Sequence, residues 1–166
     1  MASETLGDLG TITVEGWNRI AELERGQPGA KPEQIFVAMW FDESVSSAFE
    51  GGIRPAIEDA GYVALRIDQK EFVSRIDDEI IAEIRQSRAV VADFTGQRGG
   101  VYYEAGFAHG LGLPVIMTVE DSDVANLHFD TNHYNHILWR KPADLRRDLK
   151  NRLLAVLGRG PVRPAA

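Results

Sequence analysis

The sequence contains no cysteine, so it can form neither a disulfide framework nor a thiolate metal site. This absence fits a reducing compartment. Basic residues are also scarce: 18 Lys and Arg stand against 25 Asp and Glu, which gives a formal net charge of −7. Binding to a nucleic-acid backbone needs clustered positive charge, so this balance argues against a nucleic-acid polymer as partner.

Long hydrophobic runs are missing as well. The longest nearly uninterrupted apolar stretches, such as Leu113 to Val119, are far too short to span a bilayer. The first 15 residues lack the basic-then-apolar layout of a signal peptide, so we expect a soluble, cytoplasmic protein without a membrane partner. Walker, GxGxxG and GxSxG loops are absent too, which argues against a P-loop nucleotidase, a dinucleotide dehydrogenase and an α/β-hydrolase.

The chain does have enough residues, 166, and an ordinary apolar share, 44%, to bury the core of one domain. Residues 1–33 predict an N-terminal helical appendage, with a helix from Thr13 to Arg25 followed by a Gly/Pro-rich linker. Residues 34–158 form the predicted main domain, and residues 159–166 a flexible Gly/Pro-rich tail.

Within the main domain, short apolar runs alternate with helical periodicity. The predicted strands span residues 35–40, 62–67, 89–93, 114–119 and 137–139, and the predicted helices 44–60, 74–86, 101–111 and 143–157. We expect Gly51-Gly52 and Pro55 to kink or restart the first of these helices. Continuous apolar strands that alternate with helices indicate an α/β fold, a parallel sheet covered on both faces. Five strands favour a flavodoxin-like, doubly wound sheet of order 2-1-3-4-5.

A sheet of this order binds ligands where its winding reverses, beyond the carboxyl ends of strands 1 and 3. Two loops follow those strands, and their candidate substrate-binding residues are Met39, Trp40, Phe41, Thr95, Gly96, Arg98, Gly99 and Gly100. The aromatic pair Trp40-Phe41 suits stacking on a planar base, although it could equally belong to the core. Asp93 ends strand 3 and is a candidate catalytic carboxylate.

Glu104 lies about one turn into the helix predicted to follow the second loop. Backbone N–H groups at the helix start would favour the ionised form of Glu104 and bind a nearby phosphate. An ionised carboxylate is what a nucleophile or an oxocarbenium stabiliser requires. The alternative is an ordinary first-turn acid, but the adjoining glycines and the position at the switch point favour function. Tyr102 and Tyr103 are adjacent on the helix, so at most one faces the site, and Tyr103 is the candidate.

Further acidic and histidine residues lie outside these loops. Asp77 falls inside the apolar stripe of the helix 74–86, whereas Asp78 points nearer the opposite face. Either residue could instead satisfy the helix start, and the functional and structural interpretations weigh equally. His128, His133 and His136 lie near Asp130 but match no zinc spacing, so we expect no metal site.

The stretches from Val90 to Gly96 and from Gly100 to Ile116 resemble nucleoside 2-deoxyribosyltransferases and their TIR-like relatives. Their pattern YYExGxAxxLGxPV is fairly specific to this superfamily, and Ile35 to Asp42 resembles its first strand and loop. The similarity covers roughly Ile35 to Trp139. It does not separate members with different substrates.

The resemblance implies that Glu104 attacks C1′ of a nucleoside or nucleotide as a nucleophile. The base then leaves, and water or a second base resolves the glycosyl-enzyme. An upstream helix acid assists in the family; here it is Asp78 by count or Asp77 by helix face. The resemblance also implies a homo-oligomer, since related sites often borrow residues across an interface, and we expect no cofactor.

The Gly-rich loop departs from the family pattern, because the transferases tend to carry an Asp where this chain has Gln97 to Gly100. This departure counts against true base transfer. Arg98 at the mouth of the site suits a phosphate, so a 5′-nucleotide or NAD is a reasonable ligand. Three functions therefore stay open: an N-glycosidase or transferase, ranked slightly first; a TIR-like NAD hydrolase; and a non-catalytic nucleotide-sensing or protein-interaction module.

Overall fold

The computed structural model describes residues 31–67 and 76–163, together with Thr13, Val14 and Gly16. The hydroxyl of Thr13 accepts a hydrogen bond from Gly16 N–H at 3.1 Å, a contact typical of a helix cap. The rest of the predicted N-terminal helix, and the linker after it, lie outside the described residues. The predicted domain limits therefore stay predictions.

The sheet has five strands, all parallel, in the order β2-β1-β3-β4-β5. The strands are β1 (Lys31–Ala38), β2 (Val63–Leu65), β3 (Ser87–Asp93), β4 (Val115–Glu120) and β5 (Ile137–Trp139). The central strands β1 and β3 are buried over most of their length, as their continuous apolar runs predict. The predicted flavodoxin-like α/β fold is thereby confirmed.

In the described part of the chain, five α-helices connect or follow the strands: α1 (Glu43–Ala48), α2 (Arg54–Asp59), α3 (Ile76–Gln86), α4 (Gly99–Gly110) and α5 (Pro142–Leu157). A π-helical turn, Phe49–Ile53, joins α1 to α2. Pro55 has no N–H to donate to the carbonyl of Gly51, and the wider turn accommodates this loss. The predicted kink thus takes the form of a π turn inside one continuous helical path.

The helices form two layers, one on each face of the sheet. Successive residues of β1 point to opposite faces, so Ile35 packs in the layer of α1, α2 and α5, and Phe36 in the layer of α3 and α4. In the first layer Gly52 lies against α5, where an added Cβ would be 2.9 Å from Leu145 Cδ2. The second layer holds Ile84 and Val101, and α4 lies in it directly after β3.

Some element limits differ from those predicted. Helix α4 begins at Gly99, two residues earlier than predicted, and β2 is reduced to three residues at the sheet edge. Gly160 N–H donates to Ala60 O at 2.9 Å, and Val162 N–H donates to Gly61 O at 3.0 Å. These bonds hold the first residues of the predicted tail against the turn before β2. No helix in the described ranges is both long enough and apolar enough to cross a membrane.

Candidate functional site

The loops after β1 and β3 meet at the point where the sheet's winding reverses. The ring of Trp40 lies directly on Gly96, where an added Cβ would be 2.5 Å from Trp40 Cε3. Gly96 also has φ +80°, a conformation that side chains disfavour. On the same ring, the guanidinium of Arg98 stacks 3.8 Å from the centroid. The two loops that the sequence predicts for the site are therefore in contact.

Asp123, in the 3₁₀ helix Asp121–Asn126 after β4, fixes the Gly-rich loop from the other side. Its Oδ2 accepts hydrogen bonds from Gly96 N–H at 2.7 Å and Gln97 Nε2 at 3.0 Å. Partial burial would raise the pKa of Asp123, but hydrogen bonds from Asn126, Gln97 and Gly96 outweigh it, so the pKa is lowered. Sequence reasoning missed this residue, although its position just beyond a neighbouring strand end was a usable signal.

Asp93 is 1% exposed and ties together the ends of three strands. Its Oδ1 accepts from Thr95 N–H at 3.2 Å, while its Oδ2 accepts from the Thr118 hydroxyl and from Trp139 Nε1 at 3.0 Å. Burial raises the pKa of Asp93, against the opposing effect of these hydrogen bonds. Thr95 continues the network, since its hydroxyl accepts from Glu120 N–H at 2.9 Å. The carboxylate of Asp93 is thus held inside the protein and faces these donors.

Glu104 is the sixth residue of α4, and its side chain is partly buried. Burial raises the pKa of Glu104 to about 7. Within the described residues its carboxylate has no hydrogen bond and no ion pair. The expectation that the helix start favours its ionised form is wrong, because Glu104 lies beyond the first turn, where the helix dipole acts.

The contacts of its neighbours show which way Glu104 points. Val101, Ala105 and Ala108 of α4 pack on the sheet, and the ring of Phe107 contacts the guanidinium of Arg85, on α3, at 5.3 Å. Glu104 precedes Phe107 by three residues, so it lies on the side of α4 that faces α3. Its neighbour Tyr103 is 64% exposed and points away from the sheet.

Tyr102 occupies the other side of α4. Its hydroxyl donates to Gln97 Oε1 and accepts from His128 N–H at 3.2 Å, and its ring packs 4.6 Å from that of Phe94. A cavity of about 540 Å³ opens here, lined by Gln97, Tyr102, His128 and their neighbours. Glu104 is not among the residues that line this cavity.

The two upstream acids lie on α3, which runs antiparallel to β3. Its N-terminal end therefore lies at the carboxyl edge of the sheet, the edge from which α4 begins. Asp78 is exposed at that end. The side chain of Asp77 lies outside the described residues. The choice between them stays a prediction.

Arg66, just after β2, is a cation at the site that sequence reasoning missed. Its guanidinium stacks 4.0 Å from the ring centroid of Phe49 and 5.2 Å from that of Phe41. Its Nη1 lies 3.8 Å from the sulfur of Met39. Arg66 falls inside a run predicted as strand. Its charge at the end of an apolar stretch was the only sequence signal that could have identified it.

The histidine-rich loop does not bring a metal-ligand set together. His128 Nδ1 lies 3.4 Å from Asp130, and His136 Nδ1 lies 2.8 Å from the carbonyl of Tyr134. No group of three or more His, Asp or Glu in the described ranges could hold a metal ion.

Comparison with known proteins adds a distant likeness of fold. No protein-family model matches the sequence, and no curated protein matches it either. One solved structure it resembles is a 2-desoxiribosyltransferase from Leishmania mexicana, at 22% identity and a TM-score of 0.46. The match covers 54% of this chain and 66% of that chain, so this chain spans less than two thirds of that enzyme's length.

Proposed function

We propose that this protein is an N-glycosidase or N-glycosyltransferase that cleaves the C1′–N bond of a nucleoside or nucleotide, with Glu104 as nucleophile. The observation that carries the proposal is the carboxylate of Glu104, partly buried on the helix that begins at the switch point, without a partner among the described residues and with a pKa raised to about 7. A carboxylate with no partner in the described protein is costly to bury. Such groups are concentrated at catalytic sites.

This environment suits an oxocarbenium-like transition state. As the C1′–N bond breaks, the sugar gains positive charge. That charge would pair with ionised Glu104, which has no cationic partner among the described residues of the resting protein. An interaction that is stronger in the transition state than in the ground state accelerates the reaction. A carboxylate already paired with a cation would gain less.

The reaction balances in two steps. In the first, a Glu104 carboxylate oxygen bonds to C1′, and the base departs with the electron pair of the C1′–N bond and takes up a proton. In the second, water attacks C1′, releases Glu104 and gives the free sugar; a second base in place of water would make the enzyme a transferase. Asp78 or Asp77, at the same edge of the sheet, is the proposed source of the proton.

The remaining candidates hold the site or the ligand. Asp93 is proposed as a positioning residue, since it holds the loop that starts at Thr95 by a backbone hydrogen bond. Trp40 and Phe41 are proposed to contact the base or sugar, with Met39 beneath them. Gly96, Gly99 and Gly100 are proposed to lie around the substrate, with Thr95 holding their loop through its hydrogen bond from Glu120 N–H. A substrate contact by Tyr103, which points away from the sheet, stays a prediction.

NAD hydrolysis is the second candidate. It breaks the same kind of bond with the same nucleophile. Arg98, exposed above Trp40, favours it by offering a guanidinium that could bind a pyrophosphate.

The test is release of free base, measured by chromatography, from a panel of nucleosides, 5′-nucleotides and NAD. We expect release by the wild type and loss of at least ~10³-fold in Glu104→Gln, as for a removed nucleophile. Glu58→Gln changes an exposed glutamate on α2, on the opposite face of the sheet, and serves as the matched control. Saturable nucleotide binding without any product would overturn the catalytic proposal and favour a sensing module.

A further inference from the structure

The cavity beside Tyr102 lies between the start of α4 and residues 126–131, and the proposed function gives it no role. At about 540 Å³ it has the size of an ordinary small-molecule site, about 300–1,000 Å³. The side chains that decide what it could hold are those of Gln97, Tyr102, Asn126, His128, Asp130 and Thr131.

Two of these side chains form a flat wall with few open hydrogen-bonding atoms. The Tyr102 hydroxyl donates to Gln97 Oε1 and accepts from His128 N–H at 3.2 Å. The amide nitrogen of Gln97 donates in turn to Asp123 at 3.0 Å. What Tyr102 and Gln97 can still offer a ligand is the face of a phenol ring and the plane of an amide. A planar aromatic molecule suits such a wall, because its faces need contact rather than hydrogen bonds.

The same wall is held in place before a ligand arrives. Gln97 has φ +52°, a left-handed conformation that residues other than glycine rarely adopt. The bonds at both ends of its amide, to Asp123 and to Tyr102, offset the cost of that backbone conformation. A pre-organised wall lowers the entropy that binding would cost.

The other side of the cavity offers open acceptors and one donor. Asn126 Nδ2 donates to Asp123 at 2.8 Å, which leaves its amide oxygen available in the described structure. The Thr131 hydroxyl donates to His128 O at 2.9 Å and keeps its lone pairs. His128 Nδ1 accepts from Asp130 N–H at 3.4 Å, so the neutral imidazole carries its proton on Nε2 as a donor.

The charge of this side selects the kind of ligand. The carboxylate of Asp130 is 66% exposed, and in the described ranges its Oδ1 accepts no hydrogen bond. None of the described residues that line the cavity is a lysine or an arginine. A carboxylate without a neighbouring cation repels a phosphate and attracts an N–H donor. A ring nitrogen next to an amino group presents an acceptor beside a donor, which matches in kind the Nε2–H of His128 and the carboxylate of Asp130.

We propose that this cavity binds a neutral, planar nitrogen heterocycle with an exocyclic amino group, such as an amino-substituted nucleobase. The ring would contact Tyr102 and Gln97, and the amino group would donate to Asp130. The inference goes beyond the proposed function and does not rest on it, because Glu104 does not line this cavity.

The test is calorimetric titration of the full chain with adenine and with purine, which is the same ring without the amino group. We expect adenine to bind with a Kd of about 1 mM or below, as a fragment-sized ligand does. Purine should bind at least about 10-fold more weakly, the value of a hydrogen bond to a charged group.

Two aspartate variants locate the binding. Asp130→Ala truncates an exposed side chain, so it should fold normally and remove most of the difference by weakening adenine alone. Asp121→Ala is the matched control, because Asp121 lies in the same connection between β4 and β5 but does not line the cavity. It should leave the difference unchanged.

Nucleoside and nucleotide test the charge argument, in Glu104→Gln so that no turnover disturbs the titration. Adenosine and its 5′-monophosphate should bind equally, and tighter binding of the monophosphate would overturn the inference. So would no saturable binding of adenine, or equal binding of adenine and purine. A difference that Asp130→Ala leaves intact would place adenine elsewhere, for example on Trp40, and would also overturn it. Since these are binding measurements, a failure here leaves the base-release test of Glu104 standing, and the reverse holds too.

Discussion

The carboxylate of Glu104 has a measurable consequence for stability. Its pKa is raised from 4.5 to about 7 by burial, so between these values the folded protein holds a proton that the unfolded chain releases. Below pH 4.5 Glu104 is protonated in both the folded and the unfolded state, and its burial costs no stability. Above pH 7 it is ionised in both states, and the loss of unfolding free energy from burying its charge is complete. At about 1.4 kcal/mol per pKa unit, it reaches roughly 3 kcal/mol.

Glu104→Gln should therefore stabilise the protein at alkaline pH while it abolishes turnover. Glutamine has nearly the same shape and never ionises, so we expect the Tm to rise by several degrees at pH 8 and to change little at pH 4.5. Thermal unfolding of Glu104→Gln and Glu58→Gln at both pH values checks this. An equal shift at both pH values would mean that Glu104 is not the buried acid described above.

The same pKa predicts how activity depends on pH. If Glu104 attacks as a carboxylate, kcat/KM should rise about tenfold per pH unit below pH 7 and level off above it, because only the ionised fraction reacts. Initial rates at low substrate concentration between pH 5 and 9 provide the measurement. A kcat/KM that falls as pH rises through 7 would assign Glu104 as a proton donor instead.

Gly96 should tolerate alanine poorly, for two separable reasons. Its φ of +80° costs a side chain about 1–2 kcal/mol, and the added Cβ would collide with the ring of Trp40. Gly112 shares the first reason only, since it has φ +75° and no atom within 4 Å of an added Cβ. We expect Gly96→Ala to lose more unfolding free energy in urea than Gly112→Ala, and to lose base release. Equal losses would show that Trp40 moves aside at no cost.

At the scale of secondary-structure elements, the buried carboxylate of Asp93 links the ends of β3, β4 and β5. An amide in place of Asp93 has a single acceptor oxygen, so either Thr95 N–H or Trp139 Nε1 would face an NH₂ group. We expect Asp93→Asn to lower the unfolding free energy by about 1–3 kcal/mol and to reduce kcat more than KM changes. Asp59→Asn, which breaks the surface pair with Arg146, should cost less than about 1 kcal/mol. Unchanged stability in Asp93→Asn would remove its proposed positioning role.

At the scale of the whole molecule, a mutation in the helical layer around α5 should lower stability without changing the chemistry of the candidate site. Leu149 is fully buried in that layer, and Leu149→Ala is expected to cost about 2–5 kcal/mol of stability. Below its lowered Tm, the variant should keep the pH midpoint of kcat/KM, because the surroundings of Glu104 lie on the other face of the sheet. A shifted midpoint would show that the two layers are coupled.

The sheet order was predictable because its strands are continuous apolar runs separated by strongly periodic helices. The meeting of the two loops followed from that order. The start of α4 at Gly99 was not predictable, because Gly99 and Gly100 are poor helix formers. Tertiary packing nonetheless includes them in the helix. The direction of the Glu104 pKa shift depends on burial, which no local pattern encodes. Arg66 and Asp123 were missed because each is brought to the site by a strand remote in sequence.

The position of Trp40 makes intrinsic tryptophan fluorescence a probe of ligand binding in this protein. The indole contacts both Gly96 and a guanidinium, at the mouth of the proposed site, so we expect its fluorescence to change when a ligand displaces the cation or stacks on the ring. Trp139 is buried and hydrogen-bonded to Asp93, so we expect its fluorescence to stay constant when a ligand binds. Trp17 can be replaced by phenylalanine to remove its contribution to the signal. Ligand occupancy could then be followed in solution, without a label and in the inactive Glu104→Gln variant.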